Sequence, residues 1–117
     1  MAEEMEIFDE LEKILEMEQE AQKKGIAEGT VVRVERGKRG DFFNKEKLEE
    51  LGIDPEDEVI AVHIQTPWGE DIREVYRVST HKRSNLFKFF IEYGKPREGL
   101  KVNLKYDKAK GRWRVIL

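Results

Sequence analysis

The chain has 117 residues, 40% charged and 38% hydrophobic, with no cysteine and a formal net charge of −3. That size holds one domain around one core, and the missing cysteine excludes a disulfide framework, a thiolate nucleophile and a cysteine-ligated zinc site. No apolar run approaches the roughly 18 residues of a membrane span, and the acidic start Met1-Ala2-Glu3-Glu4 lacks the apolar core of a secretion signal, so a cytoplasmic protein is expected.

The first segment, Ala2–Lys24, reads as an amphipathic helix. Ile7, Phe8, Leu11, Ile14, Leu15, Met17 and Ala21 recur at spacings of three, four and seven, and Glu dominates the opposite face. Acidic residues at its start and Lys23-Lys24 at its end suit the helix dipole, and Gly25 is a C-terminal stop. We divide the chain into this acidic helix, residues 1–28, and a barrel-like domain, residues 29–117.

From Gly29 the apolar period changes to two. Thr30–Glu35 is a predicted strand, followed by a cationic turn at Gly37-Lys38-Arg39-Gly40. Asn44 caps a short helix over Lys45–Leu51, which Gly52 ends. Asp54-Pro55-Glu56-Asp57 is an acidic turn. Glu58–Gln65 and Ile72–Ser79 are strands joined through Pro67-Trp68-Gly69-Glu70. Leu86–Tyr93 fits two periods. Phe87, Phe89, Ile91 and Tyr93 alternate as in a strand, which its aromatic content favours, whereas Leu86, Phe87, Phe90 and Ile91 would share one helical face. Lys101–Tyr106 and Arg112–Leu117 form the clearest hairpin. The expected fold is mainly β (α+β): a small barrel or curved antiparallel sheet of five to six strands, with an N-terminal helix and one short inserted helix.

Phe42–Val59, with Leu51-Gly52-Ile53 at its centre and Thr30–Val34 before it, resembles the core motif of AbrB/SpoVT-type swapped-hairpin proteins. The resemblance covers residues 30–64. It departs where the family has Pro at the position of Asn44 and often Gly at that of Glu56. A fainter echo of Leu51–Val59 occurs at Tyr93–Val102. The resemblance implies a barrel that binds DNA, here through Arg33, the Arg36–Arg39 stretch, Lys45 and Lys47.

Charge supplies the functional signal. Met1–Ile72 carries 9 Lys or Arg against 21 Asp or Glu, and Arg73–Leu117 carries 13 against 4. Such asymmetry points to a polyanionic partner. The acidic half has its own basic stretch, Thr30–Lys47, so an acidic helix and an acidic turn stand against basic strands. In the terminal hairpin, Val102, Leu104, Tyr106, Trp113, Val115 and Leu117 are expected inside and Lys101, Lys105, Arg112 and Arg114 outside. Lys108 and Lys110 sit at its tip, and Arg73 and Arg77 share one face of the third strand. With Arg33, Arg36, Lys38 and Arg39, these are the candidate nucleic-acid contacts, DNA favoured. Trp68 reads equally as a stacking platform or as core. Leu86, Phe89 and Phe90 also resemble the hydrophobic positions of a sliding-clamp docking peptide, an alternative partner site, and the first helix is a candidate homodimer contact. His63 and His81 lack metal spacing, and Asp54–Glu58 reads as a solvated turn. No cofactor or catalytic residue is expected. Abundant Glu, Lys and Arg resemble the composition of archaeal and other thermophile proteins.

Overall fold

A computed structural model describes residues 2–117, with side chains from residue 6 onward. The elements are α1 (Ala2–Lys24), β1 (Ile26–Lys38), α2 (Arg39–Phe42), α3 (Lys45–Glu50), β2 (Glu58–Gln65), β3 (Asp71–Arg77), α4 (Asn85–Tyr93), β4 (Lys101–Asp107) and β5 (Arg112–Val115). All strand pairs are antiparallel, in the order β3-β2-β1-β4-β5. The sheet curves until its two edges approach. Glu74 on β3 and Arg114 on β5 bridge that seam at 3.8 Å, which makes a nearly closed barrel.

The long strand β1 is the axis of the fold. Its first part, Ile26–Thr30, pairs with β4, and its second part, Thr30–Lys38, pairs with β2. Each flank is a hairpin preceded by a short helix: α3 before β2–β3 and α4 before β4–β5. The register slips between Val31 and Arg33, leaving Val32 as the extra residue of a bulge. A bulge bends its strand and reverses the inward parity. Val31 points into the core before the bulge, and Val34 points inward after it. At the crossover stands Gly29, where a Cβ would lie 2.5 Å from Ile64 Cγ2 and 3.0 Å from Leu104 Cδ1. The strand can pass between β2 and β4 there only without a side chain.

The core joins Val31, Val62, Ile64, Trp68, Tyr76, Phe89, Val102, Leu104, Trp113 and Val115. Trp68 is buried, with its indole 5.1 Å from that of Trp113 and its Nε1 donating to Glu70 at 2.9 Å. It is therefore a core residue and no stacking platform. On the other side of the sheet, α2 packs on β1 and β2, and Leu48, Val59 and Ala61 are buried.

The structure corrects several expectations. Leu86–Tyr93 is helical, so the sheet has five strands. Ser84 caps this helix by accepting from the Phe87 amide at 3.2 Å, and Gly94 ends it at φ 83°. The cap and the glycine stop outweigh the β preference of the aromatics. The buried face differs from both readings: Phe89 is fully buried, Leu86 and Tyr93 pack on the core, and Phe90 and Ile91 are exposed. Gly37 and Lys38 belong to β1, and a further short helix, α2, begins at Arg39. Residues 26–28 belong to the sheet, since Ile26 already pairs with Lys105. Leu117 is exposed.

The first helix is Ala2–Lys24, as the periodicity predicts. Only its last turns rest on the domain, where Ala21 touches the core. Ile7, Phe8, Leu11, Ile14, Leu15 and Met17 lie in solvent. A helix of this length spans about 34 Å, and it stretches the molecule to 53 Å along its longest axis.

Candidate nucleic-acid interface

The cations of the sequence fall into two electrostatic classes. Those of β1 are engaged. Arg33 pairs with Glu35, which also meets His63 Nε2 at 2.9 Å. Arg36 Nε donates to Glu58 at 2.6 Å, and Lys38 Nζ to Glu56 at 2.5 Å. The hydrogen bond to Glu58 raises Arg36 above its ordinary pKa, and the one to Glu56 does the same for Lys38. The Arg36 bond in turn holds Glu58 below the usual carboxylate value. The Asp54–Glu58 turn is thus no merely solvated loop. The β1–β2 register places Lys38 opposite Glu58 and brings the turn's carboxylates to the β1 cations. Asp57 lies 3.8 Å from Arg77 on the far edge. Asn44 caps α3 through the Glu46 and Lys47 amides, and Lys45 and Lys47 are exposed there.

Arg73 is also committed. Its Nη2 donates to the Phe42 carbonyl at 2.7 Å, and its guanidinium lies 5.2 Å from the Phe43 ring centre and 5.8 Å from that of Phe42. These contacts tie α2 to β3. Arg39 is held by its backbone, which donates to the Asp57 carbonyl at 2.8 Å. Its Nε is buried without a hydrogen-bond partner.

The terminal hairpin is different. Lys101, Asn103 and Lys105 alternate with buried Val102 and Leu104, and Arg112 and Arg114 flank buried Trp113. Lys105 stands opposite Arg114, and Asp107 opposite Arg112. Asp107 spends its side chain on the turn, accepting from the Ala109 and Lys110 amides at 3.1 and 3.3 Å. That turn, completed by Gly111 at φ 63°, presents Lys108 and Lys110 at the tip. Lys101 Nζ donates to Thr30 Oγ1 at 2.7 Å, and Arg114 reaches Glu74. Among the described residues, Lys105, Lys108, Lys110 and Arg112 have no ion-pair partner.

Two further cations join them. Lys23, from the last turn of α1, shares a shallow depression of about 350 Å³ with Tyr106 and Lys108. Lys24 lines a second depression with Ile26, Glu28 and Asn103. Periodicity alone assigns these lysines only a dipole role. What it lacked was the pairing of Ile26 with Lys105, which brings the end of α1 against the hairpin.

At the seam, Arg112 and Arg114 overlook a cleft of about 630 Å³ with Arg73 and His63, balanced by Glu70, Asp71 and Glu74. Burial raises Glu74 above the ordinary carboxylate pKa, against the opposing pull of Arg114 and Arg112. The mixed signs make this cleft a poorer anion site than the hairpin face.

The clamp-like segment is divided by the fold: Phe89 is fully buried, Leu86 is half-buried and Phe90 is exposed. The three cannot face a partner together while the core stays closed. Among the described residues, no group of three or more His, Asp or Glu is poised for a metal, and no helix is long and apolar enough to cross a membrane. No family model, no curated protein and no solved structure matches the chain.

Proposed function

We propose that this protein binds nucleic acid, with DNA favoured, through the outer face and tip of the β4–β5 hairpin, and performs no catalysis of its own. One observation carries the reading. Lys105, Lys108, Lys110 and Arg112 project from one hairpin without ion-pair partners, whereas β1 cations are matched to carboxylates. Lys23 and Lys24 extend this cationic face, and Lys101 and Arg114 border it. Backbone phosphates are the fitting ligand, because a row of flexible cations neutralises repeated charge without reading base edges. Arg33, Arg36, Lys38 and Arg73 play a structural part, consistent with their contacts.

The test is fluorescence anisotropy with single- and double-stranded oligonucleotides across a salt series. Binding at low salt that weakens steeply with salt, and falls further in Lys105→Glu/Lys108→Glu, supports the reading. No binding at low salt removes it.

The exposed apolar stripe of α1 favours a second reading, self-association. Ile7, Phe8, Leu11, Ile14 and Leu15 form a continuous face that the domain leaves uncovered, and contiguous exposed apolar surface marks interaction sites. A second copy of α1 offers a matching face in an isologous dimer. Such a dimer would carry two hairpin faces and strengthen binding to a long polyanion.

A further inference from the structure

We infer that a second anion site lies at the far end of β3, built to take a terminal phosphate monoester. It is a pocket of about 500 Å³ whose walls include Arg39, Arg77, His81, Arg83, Ser84 and Asn85. Among the described residues these walls carry no carboxylate. The nearest acid known to touch them is Asp57, 3.8 Å from Arg77 Nη2. That contact is loose, and the Arg77 side chain remains mostly exposed.

Three separated segments bring the cations together. Arg39 enters from α2, fixed by the Arg39 amide to Asp57 and the Gly40 amide to the Pro55 carbonyl, both at 2.8 Å. Gly40 suits this close approach, since a Cβ would crowd the Pro55 carbonyl oxygen at 3.2 Å. Arg77 ends β3, where the Val78 amide donates to the Glu58 carbonyl at 2.8 Å. Arg83 comes from the turn that leads into α4. In that turn the Ser79 hydroxyl accepts from the His81 amide, and His81 Nδ1 accepts from the Arg83 amide, both at 3.1 Å. With Nδ1 acting as acceptor, the neutral ring carries its proton on Nε2, which makes that nitrogen a donor. The first turn of α4 adds backbone amides that have no intrahelical acceptor.

Arg39 is the least exposed of the three arginines. Its Nε is buried and unpartnered. A buried donor without an acceptor is costly and uncommon, and an anion in the pocket that drew the Arg39 guanidinium toward it would relieve that cost. Three guanidinium groups from different elements suit a tetrahedral anion with three free oxygens. A phosphodiester within a chain offers only two such oxygens, so three guanidinium groups match a monoester better. Val75 lines both this pocket and the seam cleft that Arg112 and Arg114 overlook. The site therefore lies along the same strand edge as the hairpin surface, placed to hold the end of a bound strand. This choice of source rests on the nucleic-acid reading; the anion site does not.

The experiment uses the full chain and two probes. In the first arm, a single-stranded oligonucleotide is compared with and without a 5′-phosphate, and with a 3′-phosphate, by anisotropy. In the second, inorganic phosphate is titrated while NMR follows the His81 ring and the arginine Nε–H signals. Phosphorylated ends are expected to bind at least several-fold tighter, with that preference lost in R83Q and in R39Q. The affinity for the unphosphorylated strand should persist in both. R83Q alters an exposed loop residue and keeps the test valid should R39Q disturb α2. If oligonucleotides bind without end preference, or not at all, but phosphate shifts the His81 and Arg83 signals and R83Q abolishes the shift, the site stands with a small phosphorylated molecule as its source. The inference is overturned if neither probe responds at the pocket. It is equally overturned if K45Q/K47Q, outside the pocket, reduces the response as much as R83Q does.

Discussion

Lys105 on β4 and Arg114 on β5 stand directly opposite one another in register. Like charges across an antiparallel pair are destabilising, by roughly 0.2–1 kcal/mol. Arg114 finds partial relief in Glu74 across the seam at 3.8 Å, while Lys105 has no ion-pair partner among the described residues. The β1–β2 pair of the same sheet places Lys38 opposite Glu58, so the fold is able to match charges where matching serves it.

A charge reversal at Lys105 should therefore separate stability from binding. Lys105→Glu creates an opposite-charge pair with Arg114 and is expected to stabilise the fold by about 0.5 kcal/mol, read as a rise in Tm at low salt. A fall in Tm would show that Lys105 supports the hairpin in some other way.

Gly29 is the tightest point of the barrel. A Cβ placed 2.5 Å from Ile64 Cγ2 cannot be accommodated without moving β2 or β4. Gly29→Ala should destabilise by about 1–3 kcal/mol, the usual cost of overpacking a filled core, measured by urea denaturation. An unchanged midpoint would mean that β1 is looser at its crossover than described.

Glu74 gives a pH dependence of definite sign. Burial raises its pKa above the ordinary carboxylate value in the folded chain. A carboxyl with a raised folded pKa contributes stability that is complete below its unfolded pKa and lost as pH rises through the folded one. Glu74→Gln keeps the size and an acceptor and removes the titration. Relative to Glu74→Gln, the natural chain should lose stability as pH climbs from below 4.5 toward neutrality. Parallel Tm curves for the two proteins across that window would contradict the burial argument.

The apolar face of α1 predicts a monomer–dimer equilibrium. Phe8→Ser/Leu15→Ser removes two exposed apolar side chains without touching the core. Sedimentation should show the natural chain as a dimer and the variant as a monomer with unchanged Tm. A natural chain that stays monomeric at high concentration would count against self-association.

Much of this architecture was legible from local pattern. The start and stop of α1, the α3 cap at Asn44 and the terminal hairpin all followed from periodicity and capping residues, because the signals lie within a few residues of one another. The strand β1 is longer than its alternation suggests: Gly29 and Gly37 look like turn residues, and the bulge at Val32 breaks the alternation. For α4, the β-propensity of the aromatics points to a strand, whereas Ser84 and Gly94 decide the matter locally. The division of cations into paired and unpaired was not legible. It depends on which strand lies beside β1, since Glu58 and Glu56 of the acidic turn neutralise Arg36 and Lys38 across strands. Arg39, by contrast, was named as a candidate from its place in a basic stretch, and the structure adds its buried, unpartnered Nε.

The hairpin's role is tested most directly by the salt dependence of oligonucleotide affinity for the natural chain and for Lys105→Glu/Lys108→Glu. Each lysine–phosphate contact contributes about 0.7–0.9 to the slope of log affinity against log salt. The double variant should bind more than tenfold more weakly at low salt, with the slope reduced by about two contacts and with Tm unchanged or higher. Equal affinity and slope in the two proteins would contradict binding through the hairpin.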